Sequence, residues 1–476
     1  MITYLLNFLI SAVLLTSAQP QSTAAGFKIK VKVKGLADSA CYLGNYYGQH
    51  QYIKDTVKAN AAGELVFEGT EDLPGGIYFV VLPKKKFFEF IVNKEQVFSL
   101  ETDTSDFVRN MKVKGSPENQ LFYDYLRFIS DKQKQYEGLK GHLDKLKDNK
   151  DSTAVIRKQM DDIDKSVRDY KTNLITNHPE TFMSRFMLAS KDPDVPDAPI
   201  LSNGRKDSTF TYYYYRNHYW DNIDFSDDRI LRTPVFYNRI KQYFDNVIPQ
   251  MPDSIIFESD RIIEKARANK EMFKYVIWYL TYTYETSDVM GYDAIFVHLV
   301  EKYYMTNQAY WISAKVLENI TKRAMKLKPI LIGQPAPNMI MQDTTLQLRS
   351  MYSLTSHYTI LLFWDWSCGH CKAEMPKVKE FYEQKKDSMN FEIFGVCTDT
   401  NLMEMKKFLR TYQMHWINVN GPRTITGNAS EAYDIYSTPV IYLLDDKKVI
   451  LAKRLSIEQV ADFIRRDMKR RKTLKQ

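Results

Sequence analysis

Two cysteines two residues apart stand just past the end of a largely apolar run: YTILLFW, residues 358–364, leads into DWSCGHCKAEMP, which contains Cys368 and Cys371. Seven residues, apolar but for Thr359 and bounded by turn formers, read as a buried strand, and the pattern after them reads as a helix. FEIFGVC (391–397), LMEMKKFLRTY (402–412) and VIYLLDD (440–446) continue the alternation, and a helix closes it from about Ile457. Apolar strands alternating with helices predict a mostly parallel sheet covered on both faces. The cysteines occupy the first strand-to-helix handover, the usual place for chemistry in such a sheet.

At a helix start, unpaired backbone N–H groups and the helix dipole favour an anion, so the Cys368 thiolate is expected to be stabilised. Cys371 lies one turn on and on the same face, within reach for a disulfide closing a small ring. Cys368 would attack a substrate disulfide, and Cys371 would resolve the mixed disulfide; oxidation of a dithiol runs the same steps backwards. A c-type haem site needs a histidine after the second cysteine, where Lys372 stands, and His370 lies between the cysteines instead. A zinc site needs two more ligands, and the eight histidines supply no HxxxH pair. A peroxide-reducing site built on one cysteine has no need of the second so close.

Residues 1–18, MITYLLNFLISAVLLTSA, carry no charge and read as a secretory signal cleaved near Ala18, with a retained anchor as the competing reading. The apolar stretch is shorter than the ~20 residues of a spanning helix. Export to the periplasm as a soluble protein follows, and outside the cytosol disulfides persist. Four cysteines in 476 residues are too few for a disulfide scaffold. Cys41 and Cys397 each stand alone; Cys397 reads as an inert buried thiol or, alternatively, as a partner that takes oxidation from the dithiol. The net charge of +8 comes from 66 basic and 58 acidic residues spread along the chain, which favours solubility and specifies no partner. The basic end, RRDMKRRKTLK (465–475), reads as a solvated terminal turn, with weak binding to anionic lipid as the alternative. No basic aromatic groove points to nucleic acid.

A chain this long divides into domains. FKIKVKVK (27–34) alternates strictly between apolar and lysine, and strand-like runs follow at 64–69, 76–82, 87–92 and 97–102, so residues 26–115 predict an N-terminal antiparallel β-sandwich. Residues 116–330 predict an all-α middle region. Ser116 caps its first helix with Pro117 in the first turn. Apolar spacing from Tyr136 to Leu146 and from Ile156 to Leu174, with the polar stretch Asp148–Ser152 between, predicts a helical hairpin that serves as a packing element or a dimerisation arm. The run YYYYR (212–216) reads as core or domain-contact aromatics, with a ligand platform as the alternative. Residues 331–476 form the last domain, entered through GQPAPN (333–338).

Residues 333–470 resemble the thioredoxin superfamily, most closely its exported TlpA/ResA-like branch of thiol-disulfide oxidoreductases. GQPAPN, ILLFWDWSCGHCKAEMP (360–376, with Trp364 and Gly369) and STPV (437–440) carry the resemblance. It implies a C-terminal α/β thioredoxin-like fold, and a cis peptide before Pro439 with the Thr438 backbone pairing with substrate beside the cysteines. Pro376 matches a helix-kinking proline and Glu374 a glutamate near the dithiol. Leu362 stands where thioredoxin has a buried aspartate and Ser367 where it has a tryptophan, which leaves Glu374 as the candidate for proton transfer. An imidazole at His370 would favour the reduced form and a carboxylate at Glu374 would oppose it, so an intermediate reduction potential is expected. No cofactor beyond the redox-active disulfide is implied. Partners would be protein disulfides or dithiols, and a membrane redox partner. The competing function is an envelope binding or scaffold protein whose dithiol is only a local switch.

Overall fold

The computed structural model describes residues 26–145 and 150–473. The expected leader at 1–18 lies outside them, as do residues 146–149 of the helical hairpin and the end of the basic run. The described residues divide into two compact units, one ending at Tyr243 and the other beginning at Phe244, so the helical region is shared between them.

The first unit opens with eight strands: β1 (Phe27–Lys34), β2 (Ala40–Tyr47), β3 (His50–Lys58), β4 (Glu64–Gly69), β5 (Gly76–Val81), β6 (Phe87–Val92), β7 (Val97–Asp103) and β8 (Lys112–Lys114). They form two four-stranded sheets, ordered β4-β1-β7-β8 and β3-β2-β5-β6. The alternation of β1 buries Ile29, Val31 and Val33 with Leu43, Phe67, Val80 and Phe90. All pairings are antiparallel except β1 with β7, which run parallel with Ile29 opposite Phe98. The chain visits the other sheet between them and returns in the same direction. Periodicity missed β2, which Gly44 and Asn45 interrupt, and β3, which buries no residue fully and is exposed throughout its first half.

Helices α1 (Pro117–Lys145) and α2 (Lys150–Asn177) follow as the hairpin. Phe128 stacks on Tyr170 with ring centroids 4.3 Å apart, and Ile156 and Leu174 are buried along the seam. Ser116 Oγ accepts the Asn119 N–H at 3.3 Å. Buried Asn119 in turn serves Ile91 on the edge strand β6, accepting its N–H and donating to its carbonyl, both at 2.7 Å. The sheet edge thereby satisfies a backbone pair that no strand covers. Helices α3 (Phe182–Ala189), α4 (Phe210–His218) and α5 (Pro234–Gln242) complete the unit. The tyrosine run lies on α4, with Tyr212 and Tyr213 exposed and Tyr214 and Tyr215 half-buried, which corrects the reading of the run as core; the core aromatics are Tyr219 and Trp220, just after α4.

The second unit holds α6 (Pro252–Ala266), α7 (Lys270–Glu285), α8 (Asp293–Leu299) and α9 (Ala314–Leu327), then strands β9 (Ile340–Asp343), β10 (Leu348–Ser350), β11 (Tyr358–Trp364), β12 (Phe391–Cys397), β13 (Ile417–Thr424), β14 (Val440–Leu444) and β15 (Ile450–Lys453). Helices α10 (Gly369–Met389), α11 (Leu402–Tyr412), α12 (Ala429–Ala432) and α13 (Ile457–Thr473) are interleaved with the strands. The strands make one seven-stranded sheet, β10-β9-β13-β12-β11-β14-β15. Only β11-β12 and β12-β13 pair in parallel; the other pairings are antiparallel. The expectation of a mostly parallel sheet is therefore corrected to a parallel centre with antiparallel flanks. Helical crossovers produce the parallel pairs, whereas tight turns join β9 to β10 and β14 to β15 and reverse the chain. β11 is buried at all seven positions. On β12, Gly395 is required by close approach: a Cβ there would lie 2.4 Å from Asn418 Oδ1 and 3.2 Å from Trp364 Nε1.

Candidate active site

Trp364 ends β11 fully buried, its ring stacked on Phe408 at 5.0 Å. Its carbonyl accepts the Thr398 N–H at 2.9 Å just beyond β12, so the ends of two parallel strands are tied together. The chain then turns over residues 365–368. Asp365 Oδ1 accepts the Ser367 N–H and Ser367 hydroxyl, both at 2.7 Å, and the Asp365 carbonyl accepts the Cys368 N–H at 3.3 Å. Cys368 is the N-cap of α10. Asp365 thus shapes the turn that presents the thiol. Sequence reasoning passed over it, although Asp followed two residues later by Ser is a turn signal in its own right.

The two thiols have unlike surroundings. Cys368 is partly exposed and its Sγ donates to the Thr438 carbonyl at 3.2 Å. Burial disfavours its thiolate, but the Cys371 N–H, the Thr438 side-chain hydroxyl, the Cys371 thiol and the His370 N–H outweigh burial and hold the pKa below that of an ordinary cysteine. Cys371 is fully buried, and its sulfur accepts the Asp365 N–H at 3.5 Å. Burial pushes its pKa up to about 11, with the neighbouring Cys368 adding to the rise. A helix start therefore carries one acidic thiol at the surface and one weakly acidic thiol beneath it.

The Thr438–Pro439 peptide is cis and lies against Cys368 through the Thr438 carbonyl. Pro376 lies inside α10, which continues to Met389. Glu374 makes an ion pair with Lys377 at 2.8 Å, and with Leu362 and Pro439 it lines a cavity of about 350 Å³. Gly369 and His370 are exposed in the first turn of α10. His370 meets Cys368 through its backbone N–H, and no ring contact joins them among the described residues. Cys397 is fully buried at the end of β12, opposite Trp364 in the sheet register, and burial pushes its thiol up to about 12. Cys41 is buried in the first unit. Among the described residues no group of three or more His, Cys, Asp or Glu could hold a metal ion.

Three regions match known families. Residues 332–453 match the AhpC/TSA family, 27–122 a domain of unknown function (DUF4369), and 157–326 a second domain of unknown function (DUF5106). Thiol-disulfide oxidoreductase ResA of Bacillus subtilis (strain 168) is 27% identical over 115 residues, which are 24% of this chain and 61% of ResA, so the chain spans less than two thirds of that relative. Thioredoxin-like protein YneN of the same organism is 23% identical over 119 residues, 25% of this chain and 68% of YneN. A solved domain of a possible thiol-disulfide isomerase from Cytophaga hutchinsonii is 37% identical, covering 30% of this chain and 97% of that one with a TM-score of 0.28. The matched segment contains both cysteines of the α10 turn and the cis proline facing them. Residues 332–453 are thus a thioredoxin-like domain that matches the AhpC/TSA family.

Proposed function

We propose that this protein is a thiol-disulfide oxidoreductase that exchanges disulfides with protein substrates through Cys368 and Cys371. The observation that carries the reading is the inequality of the two thiols: one partly exposed with a depressed pKa at a helix start, the other buried with a pKa of about 11. In the reducing direction the Cys368 thiolate attacks a client disulfide, forming a mixed disulfide and expelling the client thiolate, which takes a proton. Cys371 gives up its proton and attacks Cys368 Sγ, which closes the 368–371 disulfide and releases the second client thiol. Two electrons pass from the protein to the client. The named activity of ResA supports the reading. The two regions that match domains of unknown function would hold or select the client.

Redox titration against a glutathione buffer, followed by peptide mapping, tests it. The expected result is one two-electron couple, between about −270 and −180 mV, and 368–371 as the disulfide formed. Cys397 should stay reduced because burial keeps it protonated. A couple involving Cys397, or no reversible couple, would overturn the assignment.

We further propose that the protein is exported and works in the periplasm. The uncharged apolar start supports this, and among the described residues no helix is long and apolar enough to cross a membrane. Intact mass of the protein recovered from its native envelope should correspond to a chain beginning just after Ala18; retention of Met1 would refute cleavage.

A further inference from the structure

One wall of the 350 Å³ cavity that Leu362 and Glu374 line is the segment around the cis proline: Asp434, Tyr436, Ser437, Pro439 and Ile441 all line it. The thioredoxin-like domain does not hold this wall by itself. The Asp434 side chain is wholly buried, and a buried carboxylate needs opposite charge. Arg323 Nη1 donates to its Oδ1 at 2.6 Å, and Lys326 Nζ lies 3.4 Å from the same oxygen. Arg454 Nη2 reaches the other oxygen at 3.5 Å. Two of the three cations stand on α9, in the region that matches a domain of unknown function and not in the thioredoxin-like domain.

The same two cations hold the next contact. The Tyr436 hydroxyl accepts from Lys326 Nζ at 3.1 Å and from Arg323 Nη1 at 3.4 Å. Its ring lies beneath both, 4.8 Å from the Lys326 ammonium and 5.8 Å from the Arg323 guanidinium. Asp434 also adopts a left-handed φ of 57°. A non-glycine residue in that region persists where its surroundings over-determine it. Two residues beyond Tyr436, the Thr438 carbonyl receives the Cys368 thiol. An unbroken chain of contacts therefore runs from α9 through Asp434 and Tyr436 to the attacking sulfur.

We propose that Arg323 and Lys326 on α9 are positioning residues for client docking, holding the 434–439 segment in the shape on which a polypeptide disulfide is received beside Cys368. The proposal rests on the thiol-disulfide reading of the Cys368/Cys371 site. A small disulfide needs only the thiolate, whereas the residues flanking a polypeptide disulfide must pass the 434–439 segment, whose Thr438 carbonyl meets Cys368. A wall already ordered spares the complex the entropy of ordering it on binding. Loosening α9 should therefore raise KM for a protein disulfide and leave chemistry at Cys368 unaltered.

The test uses the full chain carrying Arg323→Gln with Lys326→Gln, dithiothreitol as reductant, and two probes, insulin and the small aromatic disulfide bis(nitrobenzoate). The expected result is a KM for insulin raised about tenfold, with kcat and the small-disulfide rate within about twofold of the parent. Exchanging the two cations, Arg323→Lys with Lys326→Arg, should return the insulin KM to within about threefold of the parent. Should the double glutamine variant fail to fold, Tyr436→Phe removes only the shared acceptor and is expected to raise the insulin KM about threefold. An insulin KM within about twofold of the parent in the variant that folds overturns the proposal, as does a parallel fall with both probes, which marks a merely structural role. If the unmodified protein turns over neither probe, the thiol-disulfide reading fails and the proposal falls with it.

Discussion

Cys368→Ser is expected to lower the rate of disulfide exchange about a thousandfold or more, while Cys371→Ser keeps the first attack and accumulates mixed disulfides. The difference follows from the two environments. With a pKa of about 11, only about one Cys371 thiol in ten thousand is ionised at pH 7. The higher intrinsic nucleophilicity of a basic thiolate recovers part of that deficit, and the full burial of Cys371 removes the gain again by denying access. Once Cys368 is bound in a mixed disulfide, its charge no longer raises the Cys371 pKa, and the buried thiol becomes more acidic at the step that needs it. The pH profile carries the same signature. Because the Cys368 pKa lies below that of an ordinary cysteine, the attack rate should rise with pH with its midpoint below the ordinary value of 9.0. Trapping with a protein disulfide, read by mass spectrometry, separates the roles; equal trapping by the two variants would mean they are wrongly assigned.

The residues that carry this chemistry were legible because their signals are local. A CxxC after a largely apolar strand marks a helix start and a small ring without any knowledge of the rest of the chain. The strands β11, β12 and β14 were legible for a related reason, since each is buried almost throughout and reads as an apolar run. β13, INVNGPRT, was not. It is buried from Asn418 to Gly421, but it buries asparagines, whose Nδ2 groups donate to the Trp416 carbonyl at 2.9 Å and the Asp399 carbonyl at 3.0 Å. A strand that buries polar side chains leaves no hydrophobic period.

Long-range partnership is the other thing the sequence could not disclose. Asp434 and Tyr436 lack any motif, and their partner Arg323 lies 111 residues before Asp434. The helical region read as one block between 116 and 330, because nothing in its periodicity marks Tyr243 as the end of a unit. Helical spacing reports that a face is apolar, not which neighbour it covers. The placement of α9 against the cis-proline segment, and hence the larger extent of the site, exists only in the folded chain.

The same region shows a second joint, and breaking it is expected to lower the unfolding midpoint by about 10 °C. Lys453 at the end of β15 is almost completely buried, and its ammonium donates to Asp293 on α8 and to the Ile330 carbonyl at 2.7 Å. Burial lowers the Lys453 pKa and Asp293 opposes that fall. Asp293→Ala leaves a buried cation with a carbonyl as its remaining partner, which costs about 3–5 kcal/mol. The sign of the pH dependence is fixed by the same burial. A lysine whose folded pKa lies below its unfolded value of 10.5 is released of its proton more readily in the folded chain, so stability in Asp293→Ala should recover as pH rises towards that value and worsen as pH falls. Replacing the pair together, Asp293→Leu with Lys453→Met, removes the buried charge altogether and should restore most of the lost stability, since apolar residues of similar volume often match a buried ion pair. Calorimetry of the full chain at two pH values separates these outcomes. A midpoint in Asp293→Ala within about 2 °C of the parent would show that water reaches Lys453 and that this joint contributes little to holding α8 against the sheet.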